Sequence, residues 1–322
     1  MRRSFTSRIA AAILFTLCLL SAAAPLIAND RPLILAYRGQ LYFPVMQNLP
    51  GTLFGANLLP TLADYQNPET IAAIKAHGWL LFPPIPYSAG TIVWNAPPAP
   101  APPSTQNWLG TDSASRDILA RLIYGVRTSL LFGACLTLTS SALGIAAGAV
   151  QGYYGGWVDL LFQRFIEIWS GLPQLFIIII LSSILLPGFA SLLAILLLFS
   201  WTALTNRVRA EFLRARNLDY VRAAQTLGLP DWRIMQRHIL PNALISVLTF
   251  LPFIMAESIT LLASLDYLGF GLPPDAASLG ALIIEAQNNP QAPWIGIAVF
   301  ITLSGLLLTL VICGETLRDV RK

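Results

Sequence analysis

The sequence predicts an all-α membrane protein with six transmembrane helices, on three observations. Hydrophobic residues make up 55% of the 322-residue chain and charged residues only 11%, against roughly 25% charged in a soluble domain. Six segments approach the ~20 apolar residues a helix needs to cross a ~30 Å hydrocarbon core, where no water can satisfy open backbone groups. Arginines gather at three places, and six crossings put all three on the same side.

The six segments are Ile9–Ala28, Thr128–Val150, Phe165–Leu186, Phe189–Leu204, Ala243–Leu265 and Trp294–Cys313. Only the third and fifth contain an acid, Glu167 and Glu257. The fourth is short and can extend toward Asn206. Pro187-Gly188 leaves room only for a tight turn, so spans three and four form an antiparallel hairpin, with one long broken helix as the alternative. The chain therefore divides into residues 1–28 (tail and first span), 29–127 (outer, Pro-rich), 128–313 (five-helix core containing the polar loop 206–241) and 314–322 (tail).

Orientation follows from the arginines. Arg2, Arg3 and Arg8 precede span one; Arg207, Arg209, Arg214, Arg216, Arg222, Arg233 and Arg237 lie in the Asn206–Pro241 loop; Arg318, Arg321 and Lys322 end the tail. These flanks read as cytoplasmic, termini included. Segment 29–127 then lies outside, and its six basic and five acidic residues nearly cancel. Span one reads as an uncleaved anchor because its apolar run continues through Ile27; its basic start and Ala22-Ala23-Ala24 also fit a cleaved signal. Arg2-Arg3 is too thinly flanked to indicate twin-arginine export.

Thirteen of the chain's 23 prolines lie in 29–127, so helices longer than a few turns are not expected there. The run Ala96-Pro97-Pro98-Ala99-Pro100-Ala101-Pro102-Pro103 reads as an extended polyproline strut. Apolar and aromatic groups around Tyr42, Tyr65 and Trp79–Tyr87 imply that the segment packs, on the membrane surface, on a partner, or as a compact cap. Cys18, Cys135 and Cys313 all fall in apolar spans, which implies no disulfide framework outside.

Span two carries Gly144-x-x-x-Gly148-x-x-x-Gly152, a small-residue face that predicts close helix packing. The polar loop has no Gly or Pro from Arg207 through Leu227, which permits a helix ended by Gly228 in the left-handed conformation. Pro230 blocks continuation. Asp231 can cap a second short helix that stops before Pro241. With seven arginines against Glu211, Asp219 and Asp231 the loop carries +4, the formal charge of the whole chain. An amphipathic hairpin on anionic lipid accounts for that charge as well as a protein contact does.

Several chemistries are excluded. A phosphate-binding P-loop needs Gly-Lys-Ser/Thr, and the two lysines, Lys75 and Lys322, have no such context. His77 and His238 fall on opposite sides of the expected membrane, which argues against a two-histidine metal site. No Gly-x-Ser-x-Gly turn occurs. Glu257 and Asp266, nine residues apart, stand about 13 Å apart along a helix and do not form a proton-relay pair. Glu257 alone remains a candidate for a translocation path or for a structural hydrogen bond.

Three separated motifs then agree in order. They are Leu109-Gly110-Thr111-Asp112-Ser113-Ala114-Ser115-Arg116-Asp117 continuing to Arg127-Thr128-Ser129-Leu130; Asp219-Tyr220-Val221-Arg222-Ala223-Ala224 with Gly228 and Arg237-His238-Ile239-Leu240-Pro241-Asn242; and Leu268-Gly269-Phe270-Gly271-Leu272-Pro273-Pro274. From about Asn107 onward the chain resembles the inner-membrane permease subunits of peptide-type ABC importers, the second motif resembling their EAA loop. Arg31-Pro32-Leu33, Gly39–Pro44, Ala63-Asp64-Tyr65 and Trp79–Tyr87 look like the microcin C and oligopeptide permease subgroup. Two features depart from the family pattern: Arg222 stands where the family usually has the glutamate that names the motif, and Ser113-Ala114-Ser115 lacks the glycine usual before Arg116-Asp117.

The resemblance implies a type I importer permease fold in a bacterial inner membrane and a non-catalytic subunit. It also implies a homologous second permease, separate ABC ATPase subunits that carry ATP and Mg, and a periplasmic binding protein delivering peptide. Tyr220, Arg222, Ala223, Ala224, Gly228, Trp232 and Arg237 would meet the ATPase. A secondary transporter, which would need paired broken helices from internal repeats, and a membrane scaffold or export subunit are the rival classes.

Overall fold

The computed structural model describes residues 12–13, 15–54, 61–94 and 98–319. In chain order the elements are α1 (15–22), α2 (Ala24–Ile27), β1 (Ile34–Tyr37), β2 (Gln40–Tyr42), α3 (Pro68–His77), β3 (Gly78–Leu81), α4 (Ile118–Tyr154), α5 (Gly156–Ser170), α6 (Gln174–Ile184) and α7 (Phe189–Ser200). There follow α8 (Thr202–Ala215), α9 (Asp219–Thr226), α10 (Asp231–Ile234), a π turn (Met235–Ile239), α11 (Leu240–Leu248), α12 (Leu251–Tyr267), α13 (Leu279–Asn288) and α14 (Pro293–Asp319). The chain forms two compact units, one built on Phe15–Ser129 and Pro274–Ser304, the other on Leu130–Pro273 and Gly305–Lys322.

The unit containing the outer segment holds the one departure from an all-α fold, a three-stranded antiparallel sheet in the order β2-β1-β3. Strands form here because Arg38 and Gly39 both take positive φ, 49° and 79°, the backbone twist that a two-residue hairpin requires. β1 pairs with β2 through Tyr37 and Gln40 across that turn. Alternation along β1 buries Leu35 and Tyr37 against Phe54, Tyr65 and Ile74, so the segment packs on itself. Burial pushes the Tyr65 hydroxyl up to about 12. Asn67 caps α3 by accepting from the Glu69 amide at 2.9 Å, with Pro68 in the first turn where no N–H is missed. The expected proline strut lies partly outside the described residues. Its later part is docked, since Ala101 is buried and exchanges hydrogen bonds with Thr111 at 3.0 and 2.9 Å.

The Leu109–Asp117 motif is a buried polar knot in the same unit. Asp112 is fully buried and accepts from the backbone of Ala114 and Arg116, at 2.9 and 2.8 Å. It also pairs with Arg116 at 2.8 Å and with Arg121. Asp117 caps α4 through the Ala120 amide (2.7 Å) and accepts from Asn107 (2.8 Å); burial pushes its carboxyl above its ordinary value. Ser115 has φ +58°, the left-handed region that favours glycine. Glu285 of α13 closes the knot by accepting from the Ser113 amide at 2.8 Å.

The other unit is helical. Among the described residues, α4 and α14 are each long and apolar enough to cross a membrane, and three more crossings arise only if a bent pair counts as one: α5 with α6 (75°), α7 with α8 (41°), and Asp231–Leu248 with α12 (56°). The segments expected as spans three, four and five are thus broken. Pro173 and Gly171 interrupt the third, and Pro252 starts a new helix within the fifth. At the α7–α8 bend the hydroxyls of Ser200, Thr202 and Thr205 bond back to carbonyls of the preceding turn at 2.9 to 3.0 Å, a known source of helix bending. The Ile9–Ala28 expectation lies partly outside the described residues. Across Leu185–Gly188, α6 and α7 return to bury Ile178, Leu192, Ile195, Leu196 and Phe199 in one core with Phe132, Leu136, Leu262 and Leu265.

Candidate coupling site

The polar loop is built from α8 outward. Its foundation is the glycine face of α4: a Cβ added at Gly144, Gly148 or Gly152 would stand 2.5 Å from Trp201 O, Thr205 O or Phe212 Cβ. α8 therefore lies backbone-close on α4. The Arg207–Leu227 stretch is not one helix. It breaks at 216–218, Leu218 taking an extended conformation (ψ 149°). The break has a packing cause, because it lets Val208, Phe212 and Ala215 of α8 and Val221 and Ala224 of α9 enter one core.

α9 ends in a Schellman turn. Gly228 has φ +74°, its amide donates to Gln225 O at 3.0 Å, and the Leu229 amide donates to Ala224 O at 3.2 Å. Asp231 is the first residue of α10 and not its cap, the N-cap position being taken by Pro230; the Asp231 side chain accepts from the Tyr153 hydroxyl at 2.7 Å instead. Nor does the helix stop before Pro241. The π turn widens the backbone just ahead of it, and Pro241 sits in the first turn of α11, where its lost N–H and its ring are tolerated.

The seven arginines sort into two groups. Arg209 pairs with Asp159 of α5, Arg214 with Glu211 at 2.7 Å, and Arg207 lies 3.8 Å over the Phe250 ring. Arg216 donates to Tyr153 O at 3.4 Å, and Arg233 lies over Trp232. Among the described residues, the side chains of Arg222 and Arg237 alone of the seven make no ion pair, hydrogen bond or ring contact, and both residues are exposed.

Of the sequence candidates, Tyr220, Arg222, Ala223, Gly228, Trp232 and Arg237 are exposed on this loop, with Leu227 at its tip 81% and Trp232 58% accessible. Ala224 is buried beneath them. Glu257 is exposed on α12, outside the loop. Sequence reasoning passed over Tyr153, although a polar aromatic directly after Gly152 was a usable signal. It also passed over Asp159, and took Glu211 only as a charge; Glu211 accepts from Ser246 at 2.8 Å and fastens α8 to α11.

Residues 141–315 match the family described as binding-protein-dependent transport system inner membrane component. The chain is 54% identical over 301 residues to the inner membrane ABC transporter permease protein YejE of Escherichia coli K12, covering 93% of this chain and 88% of that one. It is 49% identical to the peptidoglycan transport system permease protein YejE of Agrobacterium fabrum (93% and 85% covered). To the oligopeptide transport system permease protein OppC of Lactococcus lactis subsp. cremoris it is 37% identical (68% and 76%). Among solved structures, a chain of the MetNI methionine ABC transporter in an inward-facing conformation aligns with TM-score 0.51 at 16% identity, over 63% of this chain and 96% of that one, which bears on the fold alone. The helical unit, its polar loop and these matches together identify the chain as a member of the binding-protein-dependent transport system inner membrane component family, an ABC transporter permease subunit.

Proposed function

We propose that this permease subunit serves an ATP-driven importer of peptides or peptide-like compounds, of the kind that includes microcin C, and that its 206–241 loop is where ATPase closure enters the membrane helices. The relatives' names support the substrate class, and one observation carries the loop's role. Five of its arginines are engaged in contacts within the chain, leaving Arg222 and Arg237 uncommitted on a loop that also exposes Leu227 and Trp232. Two uncommitted cations and two exposed apolar side chains on one loop suit a protein groove of apolar floor and acidic rim better than a lipid surface, which would draw on all seven charges.

In this reading the six spans put both termini in the cytoplasm and residues 29–127 in the periplasm, in a bacterial inner membrane. A homologous second permease completes the path, two ABC ATPase subunits hold ATP and Mg, and a periplasmic binding protein delivers substrate. No catalytic group or cofactor resides on this chain. ATP binding closes the ATPases, the loops ride in their grooves, and the spans open outward; hydrolysis resets them. The loop has to contact the ATPase differently in the two states, since an equal contact transmits nothing. An acid on the ATPase opposite Arg222 would replace the pairing that the usual glutamate makes. Glu257 is the candidate path residue. The test is to purify the chain from its native membrane in mild detergent and identify stoichiometric partners by mass spectrometry. An ATPase and a second permease are expected; recovery of the chain alone, or only with its own copies, overturns the reading.

A further inference from the structure

We infer that the Tyr153 hydroxyl is a positioning group that carries movement of the loop tip into α4, an inference that rests on the loop being the ATPase contact. Tyr153 is the penultimate residue of α4, and its ring is buried in the core that contains Val208, Phe212, Val221 and Ala224. From there its hydroxyl leaves the core and donates to Asp231 at 2.7 Å, with the Gln225 amide at 3.5 Å on its other side. Gln225 lies in the last turn of α9 and Asp231 opens α10, so the two residues bracket the exposed tip at Leu227 and Gly228. One hydroxyl thus spans both legs of the turn that meets the partner.

The other attachments of the α4 end run elsewhere. Arg216 holds the Tyr153 carbonyl, and the glycine face holds α8. Both fasten the base of the loop rather than its tip. Tyr153→Phe removes the tip attachment while keeping the ring, the core and the base. Asp231→Asn keeps an oxygen acceptor for the hydroxyl, whereas Asp231→Ala does not.

The experiment is amide hydrogen exchange on the whole transporter complex in lipid nanodiscs, with and without Mg-ATP plus orthovanadate, followed at residues 218–232 and at 140–154. Wild type should respond in both regions. Tyr153→Phe and Asp231→Ala should keep the loop response and lose the α4 response by about fivefold, the factor that one net hydrogen bond controls. Asp231→Asn should behave as wild type. An undiminished α4 response in Tyr153→Phe, no α4 response in wild type, or loss of the loop response in Tyr153→Phe would each overturn the inference, the last by assigning the residue a structural role. No nucleotide response at 218–232 in wild type is a different failure, that of the coupling reading itself.

Discussion

Gly148→Ala adds a single carbon to the seam between α4 and α8, and the structure sets what it costs. The new Cβ would lie 2.5 Å from Thr205 O, 2.8 Å from Val208 Cβ and 3.0 Å from Arg209 N. Two of these are backbone atoms, so no rotamer change relieves the clash. Ordinary contact begins at 3.4 Å, so the helices must part by 3.4 − 2.5 = 0.9 Å. Gly144 and Gly152 approach α8 equally closely, so a parting at the centre loosens contact along the whole seam. Overpacking of this kind costs about 2 kcal/mol, roughly thirtyfold in the folding equilibrium. Thermal unfolding of the detergent-purified complex measures the effect. Gly305→Ala is the control, because nothing lies within 4 Å of that position in α14, and Ala there should be neutral or stabilising by up to about 1 kcal/mol. A Gly148→Ala protein as stable as wild type, or a Gly305→Ala protein equally damaged, refutes the close seam.

Gly228→Leu meets open space, so its only folding cost is the left-handed backbone at φ +74°, about 1 kcal/mol; it should insert normally yet lose ATPase co-purification and uptake, and normal uptake would remove the tip from the mechanism. Asp112→Ala leaves the Arg121 side chain, 3% exposed, as an unpaired buried cation, at about 3 to 5 kcal/mol; limited proteolysis should then cut residues 29–127 faster, and wild-type resistance would show that the knot does not hold the segment. Ser115→Gly relieves a positive φ at 58° and should gain a net of about 0.5 kcal/mol after the added freedom of the unfolded chain; a fall in the unfolding temperature would contradict that.

What was legible in the sequence was whatever depends on neighbours in the chain. The apolar runs, the Pro187-Gly188 return, the glycine face and the Gly228 stop all state their causes locally. Pro173 and Pro252 were visible too, but a count of apolar residues passed over them and treated each broken pair as one rod. The sheet was missed because its signal is two residues, Arg38-Gly39, inside a segment whose prolines argued against regular structure. Ser115 shows the opposite case. It lies in the run that lacks the family's usual glycine, yet the backbone keeps the conformation that glycine would favour, so the knot around Asp112 sets that φ.

The loop's long-range partners were illegible for a physical reason. Arg209 finds Asp159 and Tyr153 finds Asp231 across 50 and 78 residues, and no periodicity encodes such pairs. They nevertheless divide the loop into two mechanical parts. At its base, α8 meets α4 backbone to backbone, a joint with no rotamers to yield, so the two helices must move as one. Toward its tip, beyond the core that holds Val221 and Ala224, the attachment is a hydroxyl and an open glycine turn, which can change without unpacking that core. Substitutions in the seam should therefore lower stability and transport together, whereas Gly228→Leu, Tyr153→Phe and Asp231→Ala should lower transport with stability largely kept. If both sets fell on one line relating stability to uptake, the loop would be acting only as a packed part of the fold, and the distinction between base and tip would have no functional meaning.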